Sequence, residues 1–86
     1  MRAQPKQEMI IRSYNRRTPA GNKAKTDMKL KTTDDFTVMK RFYSTSPGHH
    51  GSLILELLDW HHSGYLFYAP EEDFNLFGKE RPITNA

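Results

Sequence analysis

The sequence predicts a small α+β domain in which two β-hairpins form an antiparallel sheet and two short helices pack on it, in the order ββαββα. Short segments in both halves of the chain carry the patterns and residue types of β-strands. Two other segments place acidic residues ahead of spaced aromatic side chains, as the first turns of helices do. The chain has 86 residues and no cysteine, so it has to form its core without disulfides.

The first hairpin is predicted from two stretches of the basic half of the chain. Residues 8–16 mix β-branched and aromatic side chains with polar ones. Residues 27–32 alternate, with Met28 and Leu30 on one face and lysines on the other. The segment 18–23 between them contains proline, glycine and asparagine, which favour a turn. We therefore expect two strands joined by a long loop, with basic side chains on the open face.

The first helix is expected at about 34–44. A threonine and two aspartates precede the segment, and they would cap the helix and lie at the positive end of its dipole. Phe36, Met39 and Phe42 then follow at spacings that form one apolar stripe. A Ser/Pro/Gly-rich stretch at 44–48 ends the pattern.

The second hairpin is expected over residues 53–68. The run 53–60 is apolar on all sides, which suits either a buried strand or a helix. We favour the strand, because 65–68 is a clear strand and 61–64 is a short turn-like connection. A helix that is apolar all round would also need cover on every side, which so short a chain hardly supplies.

The second helix is expected at about 70–77. Pro70 suits the first helical position, an acidic run fills the first turn, and Gly78 suits the residue after the end. These elements predict a flexible N-terminus at 1–7, one domain at 8–78 and a C-terminal tail at 79–86.

The charge is divided between the two parts of the chain. Residues 1–33 hold nine basic and two acidic side chains, a net charge of +7, whereas residues 34–86 have a net charge of −4. The start of the chain lacks the apolar stretch of a secretory signal, and no apolar run approaches about 18 residues. We therefore expect a cytoplasmic protein without a membrane span.

The basic hairpin, at about residues 10–31, predicts contact with a polyanion, most of all nucleic acid. Lysine and arginine at this density suit phosphate contacts, and Tyr14 beside an arginine pair adds a ring on which a base could stack. The candidate binding residues are Arg12, Tyr14, Arg16, Arg17, Lys23, Lys25, Lys29 and Lys31. Composition alone supports this hypothesis, since no zinc finger, RNP motif or KH loop is present.

The alternative function is a protein–protein effector or inhibitor that docks on an acidic cleft of a larger host protein, as phage- or plasmid-type accessory proteins do. It would use the basic hairpin or an aromatic surface formed by Trp60, Tyr65 and Tyr68. Open sheet edges also permit a homodimer through strand pairing.

Catalysis is not expected, because so short a chain leaves little room for both a core and a closed pocket. No catalytic residue, cofactor or metal site is therefore assigned. The two histidine pairs lie at opposite ends of the predicted strand, roughly 33 Å apart, and cannot share one metal ion. A metal-dependent nuclease is the third hypothesis, and its candidate residues are Glu56, Asp59, His61 and Lys79.

Overall fold

Nine β-strands contain nearly half of the residues that this computed structural model describes, which are residues 1–48, 50–59 and 64–84. The strands are β1 (Arg2–Pro5), β2 (Met9–Ile11), β3 (Arg16–Arg17), β4 (Met28–Leu30), β5 (Phe36–Tyr43), β6 (Leu53–Leu58), β7 (Leu66–Pro70), β8 (Phe74–Phe77) and β9 (Ile83–Thr84). Two single 3-10 turns cover Ser13–Asn15 and Glu71–Asp73.

Seven of these strands form one sheet in the order β3-β7-β6-β5-β1-β8, with β9 added beside β5. Neighbouring strands run antiparallel except β9, which is parallel to β5 and pairs with it beyond the end of β1. Strands β2 and β4 form a separate two-stranded ribbon. The small sheet and the long one together replace the two-hairpin sheet expected from the sequence.

The predicted α+β class with two helices is wrong, because the described residues contain no helix longer than one 3-10 turn. The segment expected as a helix at 34–44 is strand β5. A β-bulge between Val38 and Lys40 inserts one residue and reverses the alternation of faces. The alternation of side chains between the two faces therefore changes phase at the bulge. As a result, the apolar residues of the strand are spaced as they would be along one face of a helix.

The segment expected as a helix at 70–77 is also extended. Its acidic run forms only the turn Glu71–Asp73, and the following residues alternate, with Phe74 buried and Asn75 exposed. All four residues of β8 pair with β1. This long-range pairing provides hydrogen-bond partners for the backbone of β8, and it outweighs the local preference for starting a helix.

Both ends of the chain take part in the sheet. The sequence predicts a flexible segment at 1–7, but β1 lies between β5 and β8, with Ala3 and Pro5 fully buried. The expected tail at 79–86 contains β9, where the Thr84 hydroxyl donates a 3.2 Å hydrogen bond to the carbonyl of Arg41.

Both expected strand pairings are present, although the first is interrupted. Strands β6 and β7 form the second hairpin, which establishes 53–58 as strand rather than helix. Strands β2 and β4 pair, and β4 buries Met28 and Leu30 as expected. Between them the chain leaves the ribbon, and β3 joins the edge of the large sheet beside β7.

The core lies between the ribbon and one face of the large sheet, which we call the inner face. Phe36 and Phe67 meet there edge to face, with ring centroids 5.0 Å apart. The buried apolar side chains are Ala3, Ile11, Met28, Leu30, Phe36, Val38, Leu55, Leu57, Phe67, Ala69 and Phe74. Ile10 and Phe77 fit the apolar pattern of the sequence, yet they are 52% and 40% exposed. The opposite side of the large sheet, its outer face, is not covered by the ribbon.

Candidate functional site

Cross-strand pairing determines which side chains share the outer face, because directly opposed residues project to the same side of a sheet. Three rows result, and they read Lys23–Arg17–Leu66–Leu58, Tyr68–Glu56–Lys40 and Pro70–Ile54–Phe42. The bulge in β5 brings Lys40 and Phe42 to this face, since the preceding Val38 projects into the core. These rows thus combine three cations with two aromatic rings, and the first row continues through Thr37 to Arg2, which forms an ion pair with Asp35.

A groove of 460 Å³ lies along one side of the outer face. Phe42 and Tyr68 form one wall, with ring centroids 6.3 Å apart at an interplanar angle of 71°. Tyr14, on the turn after β2, also lines the groove and is 61% exposed. Arg17 and Ser44 add polar groups. We call this feature the aromatic groove.

The Tyr68 ring is held in place by a buried carboxylate. Its hydroxyl donates a 2.7 Å hydrogen bond to Oε2 of Glu56, a side chain that is almost fully buried. Desolvation, and next the hydrogen bond to Glu56, raise the pKa of the Tyr68 phenol, while the charge of Arg17 acts in the opposite direction. The one carboxylate of the three rows is therefore engaged by a neighbouring phenol.

Arg17 is anchored at the groove by backbone acceptors. Its Nη1 donates to the carbonyl of Tyr14 at 2.7 Å and to that of Arg16 at 3.2 Å. No carboxylate within the described ranges forms an ion pair with it, so its charge faces the groove unneutralised. Lys23, opposite Arg17 in the adjacent bridge, is exposed.

The remaining basic residues of the predicted hairpin do not share this surface. Arg16 is only 5% exposed, donates to the carbonyl of Thr26 and lies 5.1 Å from the ring centroid of Tyr65. The Arg16 side chain therefore packs inside the protein and does not project to the surface. Lys29 is exposed on the ribbon, opposite Ile10. Exposed lysines also occupy the loop positions Lys25 and Lys31.

Arg12 is partly neutralised by a neighbouring carboxylate. Its Nη1 lies 3.1 Å from Oδ2 of Asp27, and both side chains are about half exposed. The backbone N–H of Ser13, and next Arg12, hold the pKa of Asp27 below its ordinary value. This pair ties the turn after β2 to the loop before β4.

Two of the three aromatic residues predicted as a docking surface lie in the described part of the chain, and they have different surroundings. Tyr65 lies against Arg16, whereas Tyr68 lines the aromatic groove, and Trp60 lies outside the described residues. Sequence reasoning missed Phe42 and Lys40 as site residues because it placed both on a helix. The dense run of β-branched and aromatic residues at 36–43 is the signal that could have revealed them.

In the part of the chain that the structure describes, no three acidic or histidine side chains are grouped to hold a metal ion. Glu56 lies on the outer face, whereas Asp59, after the end of β6, is fully buried. Lys79 is exposed, and His61 lies outside the described residues.

No protein-family model, no curated protein and no solved structure matches this chain. A function therefore has to be inferred from the geometry of the surface. Among the residues described here, no helix has the length and apolar character needed to cross a bilayer.

Proposed function

We propose that this protein is a non-enzymatic nucleic-acid-binding module and that its outer face is the binding surface. The observation that carries the proposal is the aromatic groove, in which the rings of Tyr14, Phe42 and Tyr68 lie beside the unneutralised guanidinium of Arg17. Aromatic rings next to cations are the usual combination for contacts with bases and phosphates.

The charge distribution supports the same proposal. Arg2 on the outer face is paired with Asp35, and three other cations remain there: residues 1–33, with a net charge of +7, supply Arg17 and Lys23, and Lys40 is the third. Three phosphate contacts predict that log K falls with log salt concentration with a slope of about −2 to −3. Such a module binds weakly at physiological salt and more tightly at low salt.

The test compares two double variants that remove the same charge from different surfaces. Arg17→Gln with Lys23→Gln alters the outer face, whereas Lys29→Gln with Lys31→Gln alters the ribbon and the loop after it. We expect the first pair to weaken binding of a labelled mixed-sequence oligonucleotide about tenfold or more in fluorescence anisotropy at low salt. The second pair should have a much smaller effect, about twofold at most, when the comparison is repeated at 0.1 M salt, because the Debye length of about 10 Å there screens attraction from charges outside the interface.

Circular dichroism of both double variants controls for folding. Loss of binding only in the variant with Lys29 and Lys31 replaced would move the site to the ribbon and contradict the proposal. Absence of any complex with DNA or RNA at low salt would refute nucleic-acid binding altogether.

The second candidate function is docking on an acidic surface of a larger protein, and one observation favours it. Ile10 is 52% exposed on the ribbon and lies opposite Lys29, so an apolar side chain and a cation share one face. An exposed isoleucine beside a lysine suits a partner with an apolar pocket and an acidic rim. Capture of a partner from nuclease-treated lysate by the wild type, but not by an Ile10→Asp variant, would support this function.

A further inference from the structure

We propose that the nucleic acid is single-stranded and that one unstacked base occupies the aromatic groove. This inference rests on the proposed function and specifies its substrate class. In a duplex both faces of every base inside the stack are covered by neighbouring bases, so the rings that line the groove cannot stack on them. In a single strand the bases are free to turn toward the protein.

The groove has the size and walls that a base requires. Its volume of 460 Å³ exceeds that of a single side chain, and it is lined by rings from three separate parts of the chain. Phe42 and Tyr68 meet edge to face and leave ring surface toward the groove, while Tyr14 stands on the adjacent turn. Because Tyr14 is 61% exposed, a stacked base would cover apolar surface that is now in contact with water.

The aromatic groove is also pre-organised for a ligand. Glu56 accepts a 2.7 Å hydrogen bond from the Tyr68 hydroxyl, which fixes the position of that ring before a ligand arrives. The carbonyl of Tyr14 accepts from Arg17 at 2.7 Å, so the same turn positions a ring and a cation. Tyr68 and Arg17, which these hydrogen bonds already hold in place, lose little conformational entropy on binding.

One cation, Arg17, lines the groove, and Lys23 and Lys40 lie on the same face of the sheet, which gives the phosphates a path. Lys23 and Lys40 lie four strand spacings apart across the sheet, or about 19 Å. A flexible single strand can follow the curved sheet between these points while one base enters the groove. A duplex is stiff over about 150 base pairs and contacts such a surface only along one line.

The experiment measures the affinity for a mixed-sequence single strand of about twelve nucleotides, the same sequence as a duplex, and linear polyphosphate. We expect the single strand to bind at least tenfold more tightly than the duplex at the same salt concentration. Tyr14→Ala should weaken binding of the single strand by roughly 5- to 150-fold and leave binding of the duplex unchanged.

Tyr43→Ala is the matched control. Tyr43 is 49% exposed and follows Phe42 on β5, so it projects from the opposite face of the sheet, and its loss should leave every affinity unchanged. Equal affinity for single strand and duplex, or equal effects of the two tyrosine variants, would overturn the inference while nucleic-acid binding itself stands. Binding of polyphosphate alone would overturn the inference and the proposed function together.

Discussion

Replacement of Glu71 by alanine removes the main partner of a buried arginine. Arg41 is 7% exposed, and its Nε donates to Oε1 of Glu71 at 2.7 Å. Its Nη1 donates to the carbonyl of Arg81 at 3.0 Å and to Glu80 at 3.2 Å. The hydrogen bond to Glu71 is the largest cause that raises the pKa of Arg41, so this group stays charged at any ordinary pH.

The loss of stability follows from what remains around the guanidinium. Removal of one partner from a buried ion pair costs about 3–5 kcal/mol, because the other charge is left without compensation. In this cluster the Arg81 carbonyl and Glu80 still hold Nη1, while Nε loses its acceptor. We therefore expect Glu71→Ala to lower the free energy of unfolding by about 3 kcal/mol, the lower end of that range.

Urea denaturation with linear extrapolation measures this change, and Glu80→Ala is the matched control. The Glu80 side chain is 80% exposed, so its ion pair with Arg41 should contribute at most about 1 kcal/mol. A loss below about 1 kcal/mol for Glu71→Ala, or equal losses for the two variants, would refute the assignment of Glu71 as the partner that stabilises the buried charge.

Two further predictions concern the core and the aromatic groove. Phe67→Ala should destabilise the protein by about 3–5 kcal/mol in thermal unfolding followed by circular dichroism, because the side chain is fully buried against Phe36. Phe77→Ala, at a position 40% exposed, should cost far less, and similar costs would contradict this packing. In a pH titration of tyrosinate absorbance, with Tyr68→Phe to assign the signal, Tyr68 should ionise above its ordinary pKa of about 10. Since the folded state favours the protonated phenol, its contribution to stability is complete below about pH 10 and is lost as the pH rises through the raised pKa. Glu56→Gln should move this pKa back toward its ordinary value, and no movement would exclude the hydrogen bond as a cause.

The surface that we propose for binding was only partly predictable from the sequence. Tyr14, Arg17 and Lys23 are found in the basic segment, where charge density and a neighbouring ring identify them directly. Their partner Phe42 was not identifiable in the same way, because its face depends on the bulge between Val38 and the rest of β5. A one-residue insertion reverses every later side chain, and the apolar pattern of the segment does not reveal where it occurs.

Arg16 shows that residue type alone does not reveal whether a basic side chain is buried or exposed. In the sequence it is indistinguishable from Arg17, yet β3 pairs with β7 so that Arg16 lies beside the buried Phe67 and Arg17 beside Leu66. Successive residues of a strand point to opposite faces, so one arginine is buried under Tyr65 and the other faces the groove. The pairing of β3 with β7, and not the residue type, determines which of the two arginines is buried.

Local residue patterns were enough to predict the basic first third, the alternating strand β4 and the apolar hairpin of β6 and β7. That 36–43 and 74–77 are strands follows from long-range pairing, which local patterns do not contain. Helix-start signals of this kind contribute about 1 kcal/mol, and they are local. The sheet pairings of β5 and β8 with β1 satisfy a whole row of backbone groups and bury Phe36 and Phe74, which outweighs that preference.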